Sequence, residues 1–191
     1  MRKIILSLHT TLDGFVAGPK GEIDFFKLDP EMFDLVGTFT AEADTALYGR
    51  VTYQMMDDYW PTAADKPEAT KHDIEHSQWY NKVDKIVLSR TLQNKGADNT
   101  RFISININEE IRNLKNQAGR NILIFGSPTA AHYLMSHSLI DEYWLFVNPV
   151  IIGQGIPLFS GVGDRISLKL LQTKVFTCGV TALNYALDVS K

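Results

Sequence analysis

The fold follows from the stretch Asn121-Ile122-Leu123-Ile124-Phe125-Gly126-Ser127-Pro128-Thr129-Ala130-Ala131-His132-Tyr133-Leu134. Four apolar residues in a row, 122–125, predict a strand buried on both faces, as in a parallel sheet covered by helices. Gly126 allows the backbone to turn, Ser127 suits an N-cap, and Pro128 suits the first helical position. Such a junction directs unpaired backbone N–H groups and the positive end of the helix dipole at one spot, which suits a phosphate. The alternative is an ordinary strand-to-helix crossover whose glycine only makes the turn.

Two further strand ends carry residues that suit phosphate. A strand over 44–48 leads into Gly49-Arg50-Val51-Thr52 and a short helix, and a strand over 83–89 leads into Arg90. Arginine matches phosphate geometry, a helix N-terminus at Thr52 supplies N–H groups, and ligands of open α/β sheets bind at the carboxyl ends of strands. Three such sites suit a dinucleotide. Because no acid ends strand 83–89 to bind a free ribose 2′-hydroxyl, the two arginines favour NADP(H) over NAD(H).

Length, composition and charge indicate a globular protein. The 191 residues are 45% hydrophobic and 21% charged, which suffices for a single domain over 1–191 with a sizeable core. The net charge of −3 argues against nucleic acid or an anionic membrane as the main partner. Cys178 is the only cysteine, which excludes an intramolecular disulfide and fits a reducing compartment. No window reaches the length of a membrane span, so we expect a cytoplasmic protein.

The order of the remaining elements predicts an α/β fold, with alternating strands and helices first and strands last. The predicted elements are a strand Ile4–Leu8, a three-glycine loop Thr10–Gly21, a helix from Asp29-Pro30-Glu31, an exposed helix ending near Tyr80, a short strand Phe102–Ile105, a helix capped by Asn108, a buried strand Glu142–Ile152, and an antiparallel hairpin of Ile166–Phe176 and Thr181–Val189.

Motifs for other chemistries are weak or absent. The sequence has no Gly-x-Gly-x-x-Gly after the first strand and no Walker-type Gly-Lys-Ser/Thr. The run His72-Asp73-Ile74-Glu75-His76 spells His-x-x-Glu-His, a zinc-peptidase pattern that would place both histidines on one helix face. Its polar surroundings and the lack of a third ligand favour a solvated helix face instead, so we expect no metal.

A set of motifs in a fixed order carries a resemblance that spans nearly the whole chain. The motifs are Leu12-Asp13-Gly14-Phe15-Val16-Ala17, Tyr48-Gly49-Arg50-Val51-Thr52-Tyr53, Ser89-Arg90-Thr91-Leu92, Phe125-Gly126-Ser127 and Pro149-Val150-Ile151-Ile152-Gly153-Gln154-Gly155-Ile156-Pro157-Leu158-Phe159. With these, the sequence resembles the dihydrofolate-reductase-like superfamily. It is most similar to the C-terminal reductase domain of the bifunctional riboflavin-biosynthesis deaminase-reductase and its stand-alone relatives.

The resemblance implies a mixed, mainly parallel sheet flanked by helices, NADPH as cofactor and often a homodimer. By position, it assigns cofactor binding to residues of every motif: Gly49, Arg50 and Thr52 for phosphate, Ser89 and Arg90 for the adenosine end, Gly126, Ser127 and Thr129 for the pyrophosphate, and Val16, Ala17 and Gly153 for the nicotinamide. The implied activity is hydride transfer to a small heterocyclic or carbonyl substrate, like that of 5-amino-6-(5-phosphoribosylamino)uracil reductase or dihydrofolate reductase.

The substrate side is less defined. Asp13 is the ionisable group in the apolar part of the loop 12–21, which we expect to close over the nicotinamide. It either braces the turn, as Asp before Gly often does, or contacts the substrate and directs protonation. Asp24 and Trp60 are substrate contacts by position alone. The zinc motifs of the deaminase half are absent, which argues against a dedicated riboflavin role, and the lack of an obvious proton donor leaves a non-catalytic nucleotide-binding or ligand-sensing module as the alternative.

Overall fold

The computed structural model of the chain describes residues 1–92 and 99–188. The described strands are β1 (Ile4–Thr11), β2 (Phe15–Ala17), β3 (Ala43–Gly49), β4 (Asp84–Leu88), β5 (Thr100–Ile103), β6 (Asn121–Phe125), β7 (Glu142–Asn148), β8 (Ile156–Pro157), β9 (Leu168–Val175) and β10 (Thr181–Leu187). The described α-helices are α1 (Pro30–Ala41), α2 (Arg50–Tyr59), α3 (Lys71–Lys82), α4 (Ile107–Asn116) and α5 (Pro128–Ser136), with a 3-10 helix Trp60–Asp65 after α2. None of the helices in these ranges is long and apolar enough to cross a membrane.

The described residues group into two compact units. The first unit consists of Met1–Arg2 and Pro30–Leu123, and the second of Lys3–Asp29 and the described residues from Ile124 onward. The predicted single domain over 1–191 stays a prediction.

In the first unit, parallel strands lie in the order β5-β4-β3-β6. Leu47 of β3 pairs with Ile86 of β4, and Ala46 pairs with Leu123 of β6. Most apolar residues of these strands are buried, as expected of parallel strands covered on both faces, whereas Leu88, Phe102 and Phe125 near the strand ends are half-buried. Arg2 is buried at the edge of this unit, where it pairs with Asp44 and donates from Nε to the carbonyl oxygen of Arg120 at 2.8 Å.

In the second unit, β1 and β7 are parallel, and the last two strands are antiparallel. Leu8 of β1 pairs with Leu145 of β7, which pairs in turn with Leu183 of β10. Strands β10 and β9 form the antiparallel hairpin, with a bulge at Asn184 and Tyr185. The predicted fold class, a mainly parallel α/β fold with an antiparallel C-terminal hairpin, is confirmed; the end of that hairpin at Val189 lies outside the described residues.

Two predicted boundaries in the second unit are wrong for backbone reasons. The first strand continues to Thr11 because Thr10 and Thr11 pair with residues 147 and 148 of β7, which outweighs their polar character. Strand β7 ends at Asn148 rather than at residue 152, because Pro149 has no N–H group to donate. The predicted loop also contains a short strand, β2, which pairs with β8 and so restrains this part of the chain.

Two predictions in the first unit are corrected as well. Helix α4 is capped by Asn106 in the left-handed conformation, which Asn tolerates better than most residues, and Asn108 lies inside the helix. Helix α3 is not fully exposed, because His76, Ser77 and Tyr80 face the interior. Its N-terminus is fixed by a capping box, in which Thr70 and Asp73 bond reciprocally, and the sequence shows this as Thr-x-x-Asp.

Candidate functional site

The predicted site residues occur in both units. In the second unit, the junction after β6 has an unusual backbone. Gly126 and Ser127 are both left-handed, with φ of +61° and +56°. Ser127 stands at the N-cap of α5 as predicted, but its side chain makes no capping hydrogen bond. The left-handed pair turns the chain abruptly into α5, whose first N–H groups and dipole favour an anion.

Val16 and Ala17 are fixed by the pairing of β2 with β8. Phe15 pairs with Pro157 and Ala17 with Ile156, and both Val16 and Ala17 are buried. Gly155 is required at this crossing, because a Cβ there would come closer than 3.0 Å to the carbonyl oxygen of Ala17. The predicted nicotinamide-side residues therefore belong to a braced structure rather than to a free loop.

Helix α5 also restrains the strand β8. The Nε2 atom of His132 lies 3.1 Å from the carbonyl oxygen of Pro157 and 2.8 Å from that of Leu158, so this nitrogen is a donor. The N–H of Leu158 donates to the carbonyl oxygen of Gly14 at 2.8 Å. His132 therefore has a structural role, because it ties α5 to β8.

Asp13 interacts with the backbone of the segment that precedes β8. Its carboxylate accepts hydrogen bonds from the N–H groups of Ile152 at 3.2 Å and Gly153 at 2.8 Å. A hydrogen bond from the Thr11 side chain, together with those from Gly153 and Ile152, holds the pKa of Asp13 below its usual range. A carboxyl group that stays ionised at neutral pH is a poor proton donor. This geometry favours the bracing interpretation, and the catalytic assignment of Asp13 stays a prediction.

A cleft of about 610 Å³ opens beside this brace. Its lining residues come from the segments after β2 and after β7: Gly18, Pro19, Glu22, Phe25, Ile152, Gly153 and Gln154. Gly153 is the predicted site residue in this set, and Glu22 is its only ionisable side chain. Asp24 is exposed in a turn and does not line the cleft. The sequence analysis missed Glu22 and Phe25, because only the folding of the loop around Gly18 and Gly21 turns them toward this space.

In the first unit, Arg50 and Thr52 lie in the first turn of α2, after an extended Gly49. Arg50 is exposed, and its Nη1 donates to Oε1 of Gln54 at 3.0 Å. Thr52 is half-buried. The predicted placement at a helix N-terminus is therefore correct, and the guanidinium of Arg50 rests along its own helix.

Ser89 and Arg90 line a second cleft, of about 430 Å³. The other lining residues are Leu92, which follows the same turn, and Thr100, Arg101, Phe102 and Ser104 of the neighbouring strand β5 and its end. The Oγ of Ser89 accepts bonds from the N–H groups of Thr91 at 3.2 Å and Leu92 at 2.9 Å, so it shapes the turn. Arg101 adds a second guanidinium, paired with Glu110, which the sequence analysis missed because nothing in the local pattern places it beside Arg90.

Trp60 and the two histidines of the zinc-like motif pack together. The Trp60 ring lies 4.0 Å from His76, and Phe33 stacks on His72 at 4.0 Å. Burial lowers the pKa of His76 to about 3. The two histidines do share a helix face, but that face is an aromatic contact surface and not the solvated face that we expected. In the described ranges, no group of three or more His, Cys, Asp or Glu residues could hold a metal ion, and Trp60 lines neither cleft.

Comparison with known proteins supplies the family. The family model of the RibD C-terminal domain matches residues 2–182. The uncharacterized protein YyaP of Bacillus subtilis is 38% identical over 186 residues, which are 96% of this chain and 94% of that protein.

Two solved structures show the fold. A pyrimidine reductase-like protein from Corynebacterium diphtheriae superposes with a TM-score of 0.67 at 16% identity, covering 98% of this chain and 92% of the other. Dihydrofolate reductase from Enterococcus faecalis, solved in complex with NADP(H), superposes with a TM-score of 0.63 at 15% identity, covering 97% and 96%. The expected dihydrofolate-reductase-like fold is therefore confirmed.

Proposed function

This chain belongs to the RibD C-terminal domain family, and from that premise we propose that it is an NADPH-dependent reductase of a small heterocyclic or carbonyl substrate. The observation that carries the proposal is the left-handed Gly126–Ser127 turn at the start of α5. The left-handed conformation costs free energy at Ser127, which is not a glycine. Binding of a phosphate at the helix N-terminus supplies a functional reason for this backbone conformation.

The residues of the first unit fit the phosphates of NADPH. Arg50 is exposed at the start of α2, and the cleft at Ser89 contains the guanidinium groups of Arg90 and Arg101. We assign Arg50 with Thr52 to one phosphate and Arg90 with Ser89 to the adenosine end. A guanidinium in this position favours the cofactor that has a 2′-phosphate.

The residues of the second unit fit the remainder of the cofactor and the substrate. We assign the pyrophosphate to Gly126, Ser127 and Thr129, and the nicotinamide ring to Val16, Ala17 and Gly153. When bound, NADPH supplies the hydride. The cleft of about 610 Å³ receives the substrate, with Glu22 as the ionisable side chain in its lining. The predicted substrate contact Asp24 lies outside that lining and stays a prediction.

The cofactor assignment is tested by titrating NADPH and NADH into the wild type, Arg50→Ala and Arg112→Ala while monitoring fluorescence. Arg112 is a matched control, because it bonds to Asn108 one turn away, as Arg50 does to Gln54. Loss of one charge-assisted phosphate contact costs about 2 kcal/mol, or about thirtyfold in affinity. We expect this loss of NADPH affinity in Arg50→Ala and not in Arg112→Ala. Equal affinity of the wild type for both cofactors, or an unchanged Arg50→Ala, would rule out the assignment.

A non-catalytic nucleotide-binding module is the second candidate, favoured by one observation. The predicted catalytic carboxylate, Asp13, is occupied by backbone N–H groups and has a lowered pKa. The discriminating measurement is NADPH consumption with a panel of pterins, pyrimidines and small carbonyl compounds. Turnover of any of them rejects the sensing function, and NADPH binding without turnover rejects the reductase.

We further propose a homodimer, which sedimentation at micromolar concentration tests.

A further inference from the structure

One wall of the substrate cleft belongs to a segment without regular secondary structure. Phe25 lines the cleft and precedes Phe26 and Lys27 in the irregular chain between β2 and α1. Within this segment, the N–H of Phe26 donates to the carbonyl oxygen of Ile23 at 3.2 Å, which forms a single turn. A turn of this kind does not fix a side chain against the rest of the protein, so the position of Phe25 depends on what holds its neighbours.

The first anchor is an aromatic stack that ends on the sheet. The Phe26 ring lies 4.8 Å from Phe25, edge to face, and 5.4 Å from the ring of His9 on β1. His9 stacks in turn on Phe146 of β7, with ring centroids 5.0 Å apart and planes inclined by 17°. The two sheet residues are therefore the base on which Phe26 rests.

The second anchor is the side chain of Asn148, which is fully buried at the end of β7. Its Oδ1 accepts a hydrogen bond from the N–H of Lys27 at 2.8 Å. Its Nδ2 lies 3.0 Å from the carbonyl oxygen of Phe146 and 3.3 Å from that of Thr10. These backbone groups define the orientation of the amide, because an amide oxygen cannot donate to a carbonyl.

The orientation of Asn148 determines the state of His9. The same Nδ2 is 3.2 Å from Nδ1 of His9, and the two amide hydrogens are shared among this nitrogen and the two carbonyl oxygens. Because an amide nitrogen donates and does not accept, Nδ1 is the acceptor, which assigns a neutral imidazole with its proton on Nε2. Burial agrees with this state, because it lowers the pKa of His9 to about 4. His9 and Asn148 thus form one polar pair that supports both Phe26 and Lys27.

We propose that His9 and Asn148 are positioning residues, which hold residues 25–27 against the sheet so that Phe25 forms a fixed wall of the substrate cleft. The inference rests on the proposed function, because it assigns the cleft to the substrate. It requires that release of the segment weaken substrate binding more than cofactor binding, since the stacking and hydrogen bonds that anchor the segment involve none of the residues assigned to NADPH.

The test compares Phe26→Ala and Asn148→Ala with the control Leu28→Ala. Phe26 is half-buried in an irregular segment, so we expect Phe26→Ala to fold. This variant therefore tests the proposal even if Asn148→Ala does not fold. Leu28 lies in the same segment but is 57% exposed. Amide hydrogen exchange of residues 25–27 is measured by mass spectrometry, and we expect it to rise about tenfold or more in both anchor variants and to stay unchanged in the control.

Kinetics on the substrate that the panel identifies provides the second arm. We expect KM for the substrate to rise about five- to tenfold in the anchor variants, with kcat and the Kd of NADPH within about twofold of wild type. Unchanged exchange overturns the proposal, and so does faster exchange with an unchanged KM. A wild type that turns over no substrate refutes the proposed function instead, and with it the assignment of the cleft, while the exchange arm still decides whether the anchors hold the segment.

Discussion

Gly155 is the position at which one added methyl group tests the architecture of the site most directly. A Cβ there would lie closer than 3.0 Å to the carbonyl oxygen of Ala17 and 3.2 Å from Cβ of Phe15. Both neighbours belong to β2, which has only two paired positions with β8. The methyl group therefore cannot be accommodated by rotating a flexible side chain, and the two strands must separate.

The expected cost follows from that separation. Overpacking a tight site costs about 1–3 kcal/mol, and each weakened backbone hydrogen bond costs about 1 kcal/mol. We expect Gly155→Ala to lower the free energy of unfolding by about 2 kcal/mol, and Tm by about 4–8 °C for a chain of this size. Because Val16 and Ala17 sit in the displaced strand, the affinity for NADPH should fall about tenfold under the proposed assignment.

The assay is urea unfolding followed by tryptophan fluorescence, together with cofactor titration. Gly163→Ala is the matched control, since its backbone has no left-handed φ and a Cβ there meets nothing within 4 Å. We expect that control to stay within about 0.5 kcal/mol of the wild type. A Gly155→Ala protein with unchanged stability would refute the steric argument. Lost stability with unchanged NADPH affinity would refute the placement of Val16 and Ala17 beside the nicotinamide.

Three further predictions concern charged and titratable groups. Asp44→Ala leaves the buried guanidinium of Arg2 without its carboxylate partner and should lower the free energy of unfolding in urea by about 3 kcal/mol. Asp34→Ala removes an exposed ion pair with Lys71 and should lower it by at most about 0.5 kcal/mol. The pKa of Asp13 is lowered in the folded protein, so its carboxylate stabilises the fold above pH 3.8, and this stabilisation is lost as the pH falls below that value. Asp13→Asn should therefore make Tm fall less steeply with pH below 3.8, and an unchanged slope contradicts the bracing role of Asp13. His76 has a folded-state pKa of about 3 against 6.5 when unfolded, so this residue contributes a fall in stability of up to about 1.4 kcal/mol per pH unit between pH 6.5 and about 3, in addition to the contributions of His9 and His72. His76→Phe should reduce the slope of stability against pH, and an equal slope in both proteins contradicts this prediction.

Local patterns in the sequence were sufficient for the elements that depend on local chemistry. The strand-Gly-Ser-Pro-helix junction occurs where it was predicted, because a buried apolar run, a glycine and a proline at the first helical position specify the backbone by themselves. The left-handed Ser127 was not foreseen, since Ser suits both an extended N-cap and, at a cost, this turn. The alternating C-terminal hairpin was equally predictable from its period of two.

Side-chain roles were harder to predict, because they depend on partners far along the chain. Trp60, His72 and His76 are polar or amphipathic residues in a polar stretch. The sequence alone is therefore compatible with contact to a substrate, binding of a metal or exposure to solvent. The fold packs them on one another and on Phe33, and burial then lowers the pKa of both histidines, while the substrate contact of Trp60 stays a prediction. Only the tertiary contacts between α1, α3 and the 3-10 helix decide among these roles.

Asp13 shows how such a distant partner changes the chemical interpretation. Its bonds to Ile152 and Gly153 join residues almost 140 positions apart, and they convert an apparent loop carboxylate into the acceptor that fixes one side of the cleft. A carboxylate that these bonds hold ionised is a poor proton donor at neutral pH, which favours the bracing interpretation, and the catalytic assignment of Asp13 stays a prediction. Under the proposed function, we assign delivery of the proton to water in the cleft, which Glu22, the ionisable side chain among the described residues that line it, can orient. Glu22→Gln should then lower kcat and leave the Kd of NADPH unchanged, and a kcat close to that of the wild type contradicts this role of Glu22.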